Sequence, residues 1–340
     1  MSAGTDHLPT AEDVIWLPVE ELSAVGAARR AVANLAERLA FPGSRAAEVG
    51  IAVTEIATNL CKHADQGVLL LRALRTADHA EIEVAAVDNG PGIPDTELAF
   101  LDGHSTTGTL GIGLGAVRRL ADVCSLRSTP DGTVLAARFG PDRRTVPTPG
   151  FAIGVTKPIA GEEVCGDAYA IRRDGDRLLL MLCDGAGHGP LAASASRAAV
   201  RAFLDGDWAP PERVVRRLHT AMLGTRGGAV AVAELDPTAR TLRYAGVGNI
   251  AGAVVSERKN GLVSLPGVAG YQARTVREFT YDLPPGAVVV MHSDGLNDRW
   301  GVDPVVRWSA DPLVIGLELL REAGVRRDDA SVVVAKPGAR

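Results

Sequence analysis

Apolar side chains in the first 140 residues follow a helical spacing in some stretches and a strand spacing in others. Ala, Leu and Val recur every three to four positions over residues 23–40 and 44–63, which predicts two amphipathic helices. Residues 79–88 (HAEIEVAAVD) alternate between apolar and polar and predict a strand, whereas residues 115–123 (GAVRRLADV) predict a further helix. This half of the chain therefore mixes helices with strands.

Beyond residue 150 the pattern changes to short Val- and Leu-rich strands, with helical stretches near 190–204 and 211–223. Many short strands with a few helices predict a β-sandwich flanked by helices. Between the halves, PDRRTVPTPG carries three prolines and predicts a linker. The expected fold class is α+β with two domains: a flexible leader (1–14), a first domain (15–140), a linker (141–150) and a second domain (151–340).

Composition narrows the classes of function. A length of 340 residues leaves room for about two domains, and a net charge of −5 argues against nucleic-acid or anionic-membrane binding. No apolar run approaches the ~18 residues that span a bilayer. The four cysteines form no CxxC pair and are expected to be reduced thiols in a cytoplasmic protein.

The second predicted helix carries polar residues along one edge. Glu55, Asn59 and Lys62 fall at i, i+4 and i+7, so they share a side opposite the apolar stripe. A solvated helix face is the simplest interpretation of these three residues taken alone.

The strand ending at Asp88 places a carboxylate where an apolar side chain is expected. Ile82, Val84 and Ala86 share a parity that Asp88 continues, so the pleat turns it toward the apolar side. A buried carboxylate needs a strong partner, and an adenine amino group would supply one. The turn that follows, residues 89–92 (NGPG), lets a flat ring approach the backbone. The alternative is a tight turn with no ligand.

Glycines 108, 111, 113 and 115 lead directly into the predicted helix at 115–123. Unpaired N–H groups at the positive end of a helix dipole form a phosphate site. A Rossmann fingerprint needs a preceding apolar strand, but the residues before these glycines are polar. No Gly-Lys-Ser/Thr ends the run, which excludes a Walker A loop.

Together, EIATN, DNGPG and GTLGIGLG stand in the order of the N, G1 and G2 boxes of the GHKL ATPase superfamily. Residues 15–140 resemble its small anti-sigma-type serine/threonine kinases, especially the stressosome switch kinase, which implies a Bergerat α/β sandwich that binds ATP. The resemblance implies these roles: Asn59 for magnesium, Glu55 to orient or deprotonate the attacking hydroxyl, Lys62 and Asp88 for ATP with Asp88 on the adenine, Gly90 and Gly92 for the adenine pocket, Gly111, Gly113 and Gly115 for the phosphates, and Thr133 near the base.

Acidic residues stand at the ends of several predicted strands in the second half: Asp167, Asp184, Asp294, Asp328 and Asp329. If these strand ends meet, the carboxylates repel one another unless divalent cations neutralise them. Oxygen ligands favour magnesium or manganese over zinc, and two such ions can activate a water for phosphoryl hydrolysis. Turn capping by each aspartate is the weaker alternative, because the Asp-Gly pattern recurs.

Two other phosphatase chemistries fail on spacing. Six residues beyond Cys183 stands Gly189, where a cysteine-dependent phosphatase needs arginine. The segment 174–178 (DGDRL) lies between two strands and predicts a hairpin turn rather than an aspartyl-phosphate site.

The motifs CGDAY, CDGAGHGPLA, GVGNIAG, HSDGLND and RRDDASVVV resemble the metal-dependent serine/threonine protein phosphatases. Over residues 151–337 the chain is most similar to their SpoIIE-like subgroup of sporulation and stress response, above all the stressosome feedback phosphatase. The resemblance implies these roles: Asp184 bridging two metals with the Gly185 carbonyl, Asp294 and Asp328 completing one site, Asp167 holding water on the other, Asp329 as a further metal residue, and His188 or Lys157 contacting phosphate.

The two resemblances imply a bifunctional regulator of bacterial partner switching that uses ATP, Mg and Mn. Expected partners are STAS-domain anti-sigma antagonists or stressosome scaffold proteins, with a downstream phosphatase activator or a sigma factor as further candidates. Two alternatives stay open. The phosphatase acts alone beside an ATP-sensing domain, or the first domain is a module that binds a sigma factor or activator.

Overall fold

The computed structural model describes residues 6–7, 10–75, 80–100, 113–143, 152–303, 305–325 and 327–337. These residues form two compact units, one within residues 9–148 and the other within 149–340 together with residues 6–7. Gly111 and most of the expected linker, residues 144–150, lie outside the described residues. Within the described part of the chain, no helix is both long and apolar enough to cross a membrane.

The first described strand, β1 (Asp6–His7), pairs with Arg172 and Arg173 of the second unit. The first unit contains an antiparallel five-stranded sheet of order β2-β3-β4-β6-β5. Residues 10–14, expected in a flexible leader, belong to strand β2 instead. The elements of this unit are β2 (Thr10–Pro18), α1 (Leu22–Arg38), α2 (Gly43–His63), β3 (Val68–Arg75), β4 (Ala80–Val87), α3 (Thr96–Ala99), α4 (Gly113–Leu120), β5 (Val123–Thr129) and β6 (Gly132–Phe139).

Helices α1 and α2 pack on one face of this sheet through the apolar stripes that the sequence predicts. Val53 and Ile56 of α2 are buried in one core with Leu71 of β3 and Val84 of β4. Burying such side chains contributes roughly 1.5–3 kcal/mol each relative to exposure. The polar edge of α2 is thereby turned away from the core.

A buried arginine fixes the end of the first unit. Arg45 of α2 donates to the Gly140 carbonyl (2.9 Å) and forms an ion pair with Asp122 (2.6 Å). Arg143, within the segment expected to be a linker, forms an ion pair with Glu48 (2.9 Å). Residues 141–143 therefore remain attached to the first unit.

The second unit is a β-sandwich of two antiparallel sheets, with orders β1-β8-β9-β10-β11-β14 and β13-β12-β15-β16-β7. Their inner faces share an apolar core that includes Leu182, Tyr244 and Val289. Its elements are β7 (Ala152–Lys157), β8 (Asp167–Asp174), β9 (Arg177–Gly185), α5 (Gly189–Leu204), α6 (Pro211–Ala221), β10 (Gly228–Asp236), β11 (Thr241–Val247), β12 (Ala251–Val255), β13 (Lys259–Gly261), β14 (Phe279–Asp282), β15 (Val288–His292), a 3-10 helix (Val305–Ser309), α7 (Pro312–Ala323) and β16 (Ala330–Ala335).

Two buried elements are among those that the sequence patterns did not predict. Helix α7 was not predicted, because ten of its twelve residues are buried and no polar face marks a helical period. Strand β3 was not predicted either, because it is buried on both sides and its sequence does not alternate between apolar and polar residues. The hairpin turn expected at 174–178 is confirmed, with Asp174 paired to Arg177 across β8 and β9.

Candidate active sites

The first unit contains a cavity of about 480 Å³ beside α2 and the sheet. This volume is in the range of small-molecule sites, which are commonly a few hundred cubic ångströms. Its lining combines apolar walls, such as Ile56 and Leu135, with a small number of polar groups. Six of the residues predicted for ATP line it: Asn59, Lys62, Asp88, Gly92, Gly113 and Thr133.

Asp88 is held in place by backbone amides. Its Oδ1 accepts hydrogen bonds from the amides of Gly90 (2.9 Å) and Thr133 (3.1 Å). The Asp88 amide in turn donates to the Thr133 carbonyl (3.0 Å), which continues the β4–β6 ladder beyond the last paired residues. The carboxylate is therefore fixed at the cavity wall rather than free to rotate.

The turn after Asp88 depends on a glycine conformation. Gly92 has a φ of +75°, and a Cβ at this position would lie 2.0 Å from the Thr129 carbonyl oxygen. Only glycine fits such a close approach without displacing the neighbouring strand. The side chain of Thr133 contacts Ser128 (2.8 Å), whose hydroxyl accepts a hydrogen bond from the Ile93 amide (2.7 Å).

Helix α4 begins next to the polar edge of α2. A Cβ on Gly113 would lie 3.6 Å from Asn59 Nδ2 and 3.7 Å from Glu55 Oε2. Both side chains are half-buried, and Lys62 is exposed at the cavity rim. The N–H groups at the start of α4 lack intrahelical partners, so this corner combines an amide, a carboxylate and a positive helix end. A purely solvated helix face does not describe these residues.

The predicted acidic residues of the second unit come from both sheets of the sandwich. Asp167 begins β8 and lies directly opposite Asp184 near the end of β9. Asp294 follows β15 of the other sheet, and Asp328 and Asp329 immediately precede β16. Strands from the two sheets thus bring these five carboxylates to the same end of the sandwich. They are called the acidic cluster below.

Crowding of these carboxylates changes their proton affinity. Burial, with the charges of Asp167 and Asp294 adding to it, raises the pKa of Asp184 to about 8. Burial also raises the pKa of Asp167 to about 7 and, together with the charge of Asp328, raises that of Asp294. Asp184 is within hydrogen-bonding reach of Asp294. The charges of Asp184 and Asp294 act on each other, so a proton or a cation bound by either carboxylate relieves the repulsion.

The convergence is partial. Among the residues that the structure describes, no three His, Cys, Asp or Glu side chains form a ready-made metal cluster. Asp294 Oδ2 accepts a hydrogen bond from Asn249 (2.6 Å), and Asp167 Oδ2 accepts one from Ser331 (2.7 Å). Neutral donors thus hold one oxygen of Asp294 and one of Asp167.

Asp329 differs from the role that the resemblance implies. Its Oδ1 accepts from the Ile159 amide (2.7 Å) and its Oδ2 from the Gly166 amide (2.7 Å). Both oxygens thus serve the loop between β7 and β8, and Asp329 is 2% exposed. This geometry favours a role as a brace for the loop over a role as a metal ligand.

The two phosphate-contact candidates are also constrained. His188 Nδ1 lies 2.8 Å from Glu162 Oε1, so one ring nitrogen joins the β7–β8 loop to the start of α5. Lys157 shares a side of β7 with Val155, which faces α7. Lys157 therefore points to the outer face of its sheet, and burial lowers its pKa.

Sequence patterns missed several residues that contact the predicted ones. Asn249 and Ser331 stand inside the quoted motifs GVGNIAG and RRDDASVVV, yet no spacing rule distinguishes them there. Glu162 carries no motif signal at all. Only the position of its partner His188 identifies it.

Comparison with known proteins assigns each unit separately. Residues 19–139 match the family model "Histidine kinase-like ATPase domain", and residues 174–337 match "Stage II sporulation protein E (SpoIIE)". Serine/threonine-protein kinase RsbT of Bacillus subtilis (strain 168) is 37% identical over 112 residues, which cover 33% of this chain and 84% of RsbT.

Phosphoserine phosphatase RsbX of Bacillus subtilis (strain 168) is 27% identical over 141 residues, covering 40% of this chain and 70% of RsbX. A solved structure described as "The bacterial stressosome: a modular system that has been adapted to control secondary messenger signaling" is 27% identical. It superposes with a TM-score of 0.50 and covers 55% of this chain and 98% of its own.

Proposed function

Because the chain belongs to the histidine kinase-like ATPase family through its first domain and to the SpoIIE phosphatase family through its second, we propose that it is a bifunctional regulator of bacterial partner switching. The first domain phosphorylates serine or threonine on a protein partner, and the second removes phosphate from that partner or a related one. The activities that name RsbT and RsbX support this pairing. We assign it to the cytoplasm, where ATP is available.

STAS-domain anti-sigma antagonists and stressosome scaffold proteins are the substrates that we propose. The likeness to the stressosome structure supports this class. A protein substrate also fits the open surroundings of the acidic cluster, where Asp328 and His188 are exposed.

The first-domain cavity fits ATP. Asp88 would bind the adenine, Gly113 and Gly115 would hold the phosphates at the start of α4, and Asn59 would hold the accompanying magnesium. ATP supplies the phosphoryl group. Glu55 lies beside Gly113 and would orient the acceptor hydroxyl and accept its proton. Most of the catalysis in such a site comes from positioning and electrostatics.

The acidic cluster fits divalent cations, since its donors are carboxylate and carbonyl oxygens that repel one another without a countercharge. Asp184 with the Gly185 carbonyl, Asp294 and Asp328 would hold magnesium or manganese, and Asp167 would hold water. The ions supply charge neutralisation and an activated water. The protein's own contribution is to fix the carboxylates by hydrogen bonds, as Asn249 does for Asp294 and Ser331 for Asp167.

The observation on which the phosphatase half depends is that the opposed pair Asp167 and Asp184 of one sheet meets Asp294, which follows a strand of the other sheet. Glu55 beside the start of α4 carries the kinase half in the same way. A half-buried carboxylate at this corner favours catalysis over partner binding alone, because it can accept the proton of a hydroxyl.

The test uses the full chain with candidate STAS proteins from the same genome, with and without ATP, magnesium and manganese, read by intact mass. We expect Glu55→Ala to abolish phosphorylation while dephosphorylation continues, and Asp184→Asn to do the reverse. Glu37→Ala, on the exposed side of α1, is the matched control and should change neither.

Each alternative gives a different result in this experiment. Phosphorylation by Glu55→Ala at the wild-type rate contradicts the kinase assignment. Dephosphorylation without any ATP turnover in the wild type identifies a phosphatase with an ATP-sensing domain. Stable co-purification with a sigma factor or phosphatase activator, again without turnover, identifies a binding module.

A further inference from the structure

Arg226 lies beside the loop that follows Asp184. It stands just before β10, whose first residue Gly228 pairs with Gly185 at the end of β9. A Cβ on Gly187 would lie 3.1 Å from Arg226 Nη1, so the guanidinium lies against the backbone of this loop. Gly187 is three residues beyond Asp184 in the chain.

The backbone around Arg226 is fixed on both sides. The Gly227 amide donates to the Thr225 hydroxyl (3.0 Å), which donates to the Met222 carbonyl (2.7 Å). The Gly227 carbonyl accepts a hydrogen bond from the Ala186 amide (2.9 Å). The base of the Arg226 side chain is therefore tied to the Asp184 loop rather than to a free surface segment.

The guanidinium itself forms no hydrogen bond or ion pair with any residue that the structure describes, and Arg226 is exposed. Some arginines of this unit are paired, as Arg243 is with Glu234 and Arg307 with Glu322. An exposed arginine that lies against the loop following Asp184, with no partner among the described residues, has its donors available to an anion.

We propose that Arg226 binds the phosphoryl group of the substrate at the acidic cluster. This inference rests on the proposed phosphatase function and adds a substrate-binding residue to it. A guanidinium presents a planar fork of N–H donors that matches two oxygens of a phosphate, and it stays charged at all relevant pH values. Its charge also offsets the repulsion between a phosphate dianion and the surrounding carboxylates.

Arg226 meets this requirement better than the two residues suggested by the sequence. Lys157 is directed to the outer face of its sheet, and one ring nitrogen of His188 is engaged by Glu162. Arg226 instead has no partner within the described part of the chain, and it lies against the loop that joins Asp184 to α5. The substrate phosphate would then lie between this loop and the acidic cluster.

The test compares Arg226→Ala and Arg226→Lys with Arg258→Ala. Arg258 is an exposed arginine in the β12–β13 turn, at the end of the sheet opposite to Asp294. Hydrolysis of para-nitrophenyl phosphate gives KM and kcat in magnesium buffer. Calorimetric titration of the magnesium-loaded protein with inorganic phosphate gives phosphate affinity, and titration with magnesium gives metal affinity.

We expect Arg226→Ala to raise KM and weaken phosphate binding by about tenfold or more, with a smaller change in kcat and unchanged magnesium affinity. Arg226→Lys should recover part of the affinity, because it restores the charge without the planar fork. Arg258→Ala should match the wild type. Unchanged phosphate affinity and KM in Arg226→Ala overturn the inference.

The result that would contradict the proposed phosphatase function differs from the result that would overturn the role of Arg226. A wild type that binds magnesium but hydrolyses no phosphoserine or phosphothreonine protein contradicts that proposal. The phosphate titration still tests Arg226 in such a protein, because it needs no turnover. A loss of magnesium affinity in Arg226→Ala as large as its loss of phosphate affinity also overturns the inference, because the arginine then supports the metal site.

Discussion

Asp167 and Asp184 lie directly opposite each other on the paired strands β8 and β9. Like charges at directly opposed positions destabilise a sheet, and burial adds to the cost here. The fold tolerates this arrangement through Ser331, which donates to Asp167 (2.7 Å), and through the raised pKa of both carboxyl groups. Buried carboxylates with raised pKa values cluster at functional sites, such as sites that bind a cation or a phosphate.

Removing the repulsion at Asp184 should stabilise the metal-free protein. At pH 8 without divalent ions, we expect the free energy of unfolding of Asp184→Asn to exceed that of the wild type by on the order of 1 kcal/mol. Denaturant titration would show this as a higher midpoint concentration. Magnesium at 100 times its dissociation constant should stabilise the wild type by about 2.7 kcal/mol and the variant far less. Chelation should reverse the gain.

The control for this experiment is Asp176→Asn, an exposed aspartate in the turn at the opposite end of the same hairpin. It should behave as the wild type with and without magnesium. Equal magnesium stabilisation of the wild type and Asp184→Asn would exclude Asp184 as a metal ligand.

Asp328 and Asp329 are adjacent but should respond differently to the same substitution. Asp329→Asn replaces one of two oxygens that accept from buried amides, so an N–H then faces another N–H. We expect a loss of about 1–3 kcal/mol in the free energy of unfolding. Denaturant titration at neutral pH measures it.

Asp328→Asn provides the comparison. Asp328 is exposed, and its Oδ1 accepts from the Asp329 amide (2.9 Å), a bond that asparagine can keep. Its stability should stay within about 0.5 kcal/mol of the wild type, while phosphatase activity falls. Equal destabilisation by both variants would remove the distinction between brace and metal ligand.

Gly92 and Gly50 give opposite predictions for a glycine-to-alanine change. Gly92→Ala introduces a Cβ about 2 Å from the Thr129 carbonyl at a positive φ, and should destabilise the first domain by more than about 2 kcal/mol. Gly50 lies inside α2 with no atom within 4 Å of an added Cβ. Gly50→Ala should stabilise the helix by about 0.5–1 kcal/mol.

Thermal unfolding compares these variants, and binding of an ATP analogue reports on the cavity. Affinity should fall in Gly92→Ala and stay unchanged in Gly50→Ala. A fully stable Gly92→Ala protein would show that the turn after Asp88 can adopt another conformation.

Thiol chemistry tests the packing of β5. Burial raises the pKa of Cys124 to about 11, partly opposed by the charge of Arg118. At pH 8 only about one thiol in 1,000 is then ionised, so alkylation of Cys124 should be roughly 100-fold slower in the folded protein than in guanidinium. The rate should rise with pH toward 11, because the thiolate is the reactive form.

Mass spectrometry of iodoacetamide-treated protein, with Cys124→Ser as the blank for this site, measures that rate. Rapid modification of Cys124 at pH 8 would contradict the packing of β5 against the core.

The sequence alone determined the features that depend on near neighbours in the chain. Helical spacing in residues 44–63 predicted α2, and parity along β4 predicted the side to which Asp88 turns. Asp-Gly pairs after apolar strands indicated the acidic strand ends. These signals are readable because each depends on a repeat of a few residues.

Tertiary structure decided the features that join distant parts of the chain. Asp329 and Gly166 are 163 residues apart, and no local pattern states that one braces the other. Arg226 carries no motif, and its role follows from where β10 and the Asp184 loop meet. Helix α7 is buried on most sides, so its sequence lacks the polar face from which an amphipathic helix is predicted. Pairing across strands and sheets sets these contacts, and a linear pattern does not encode it.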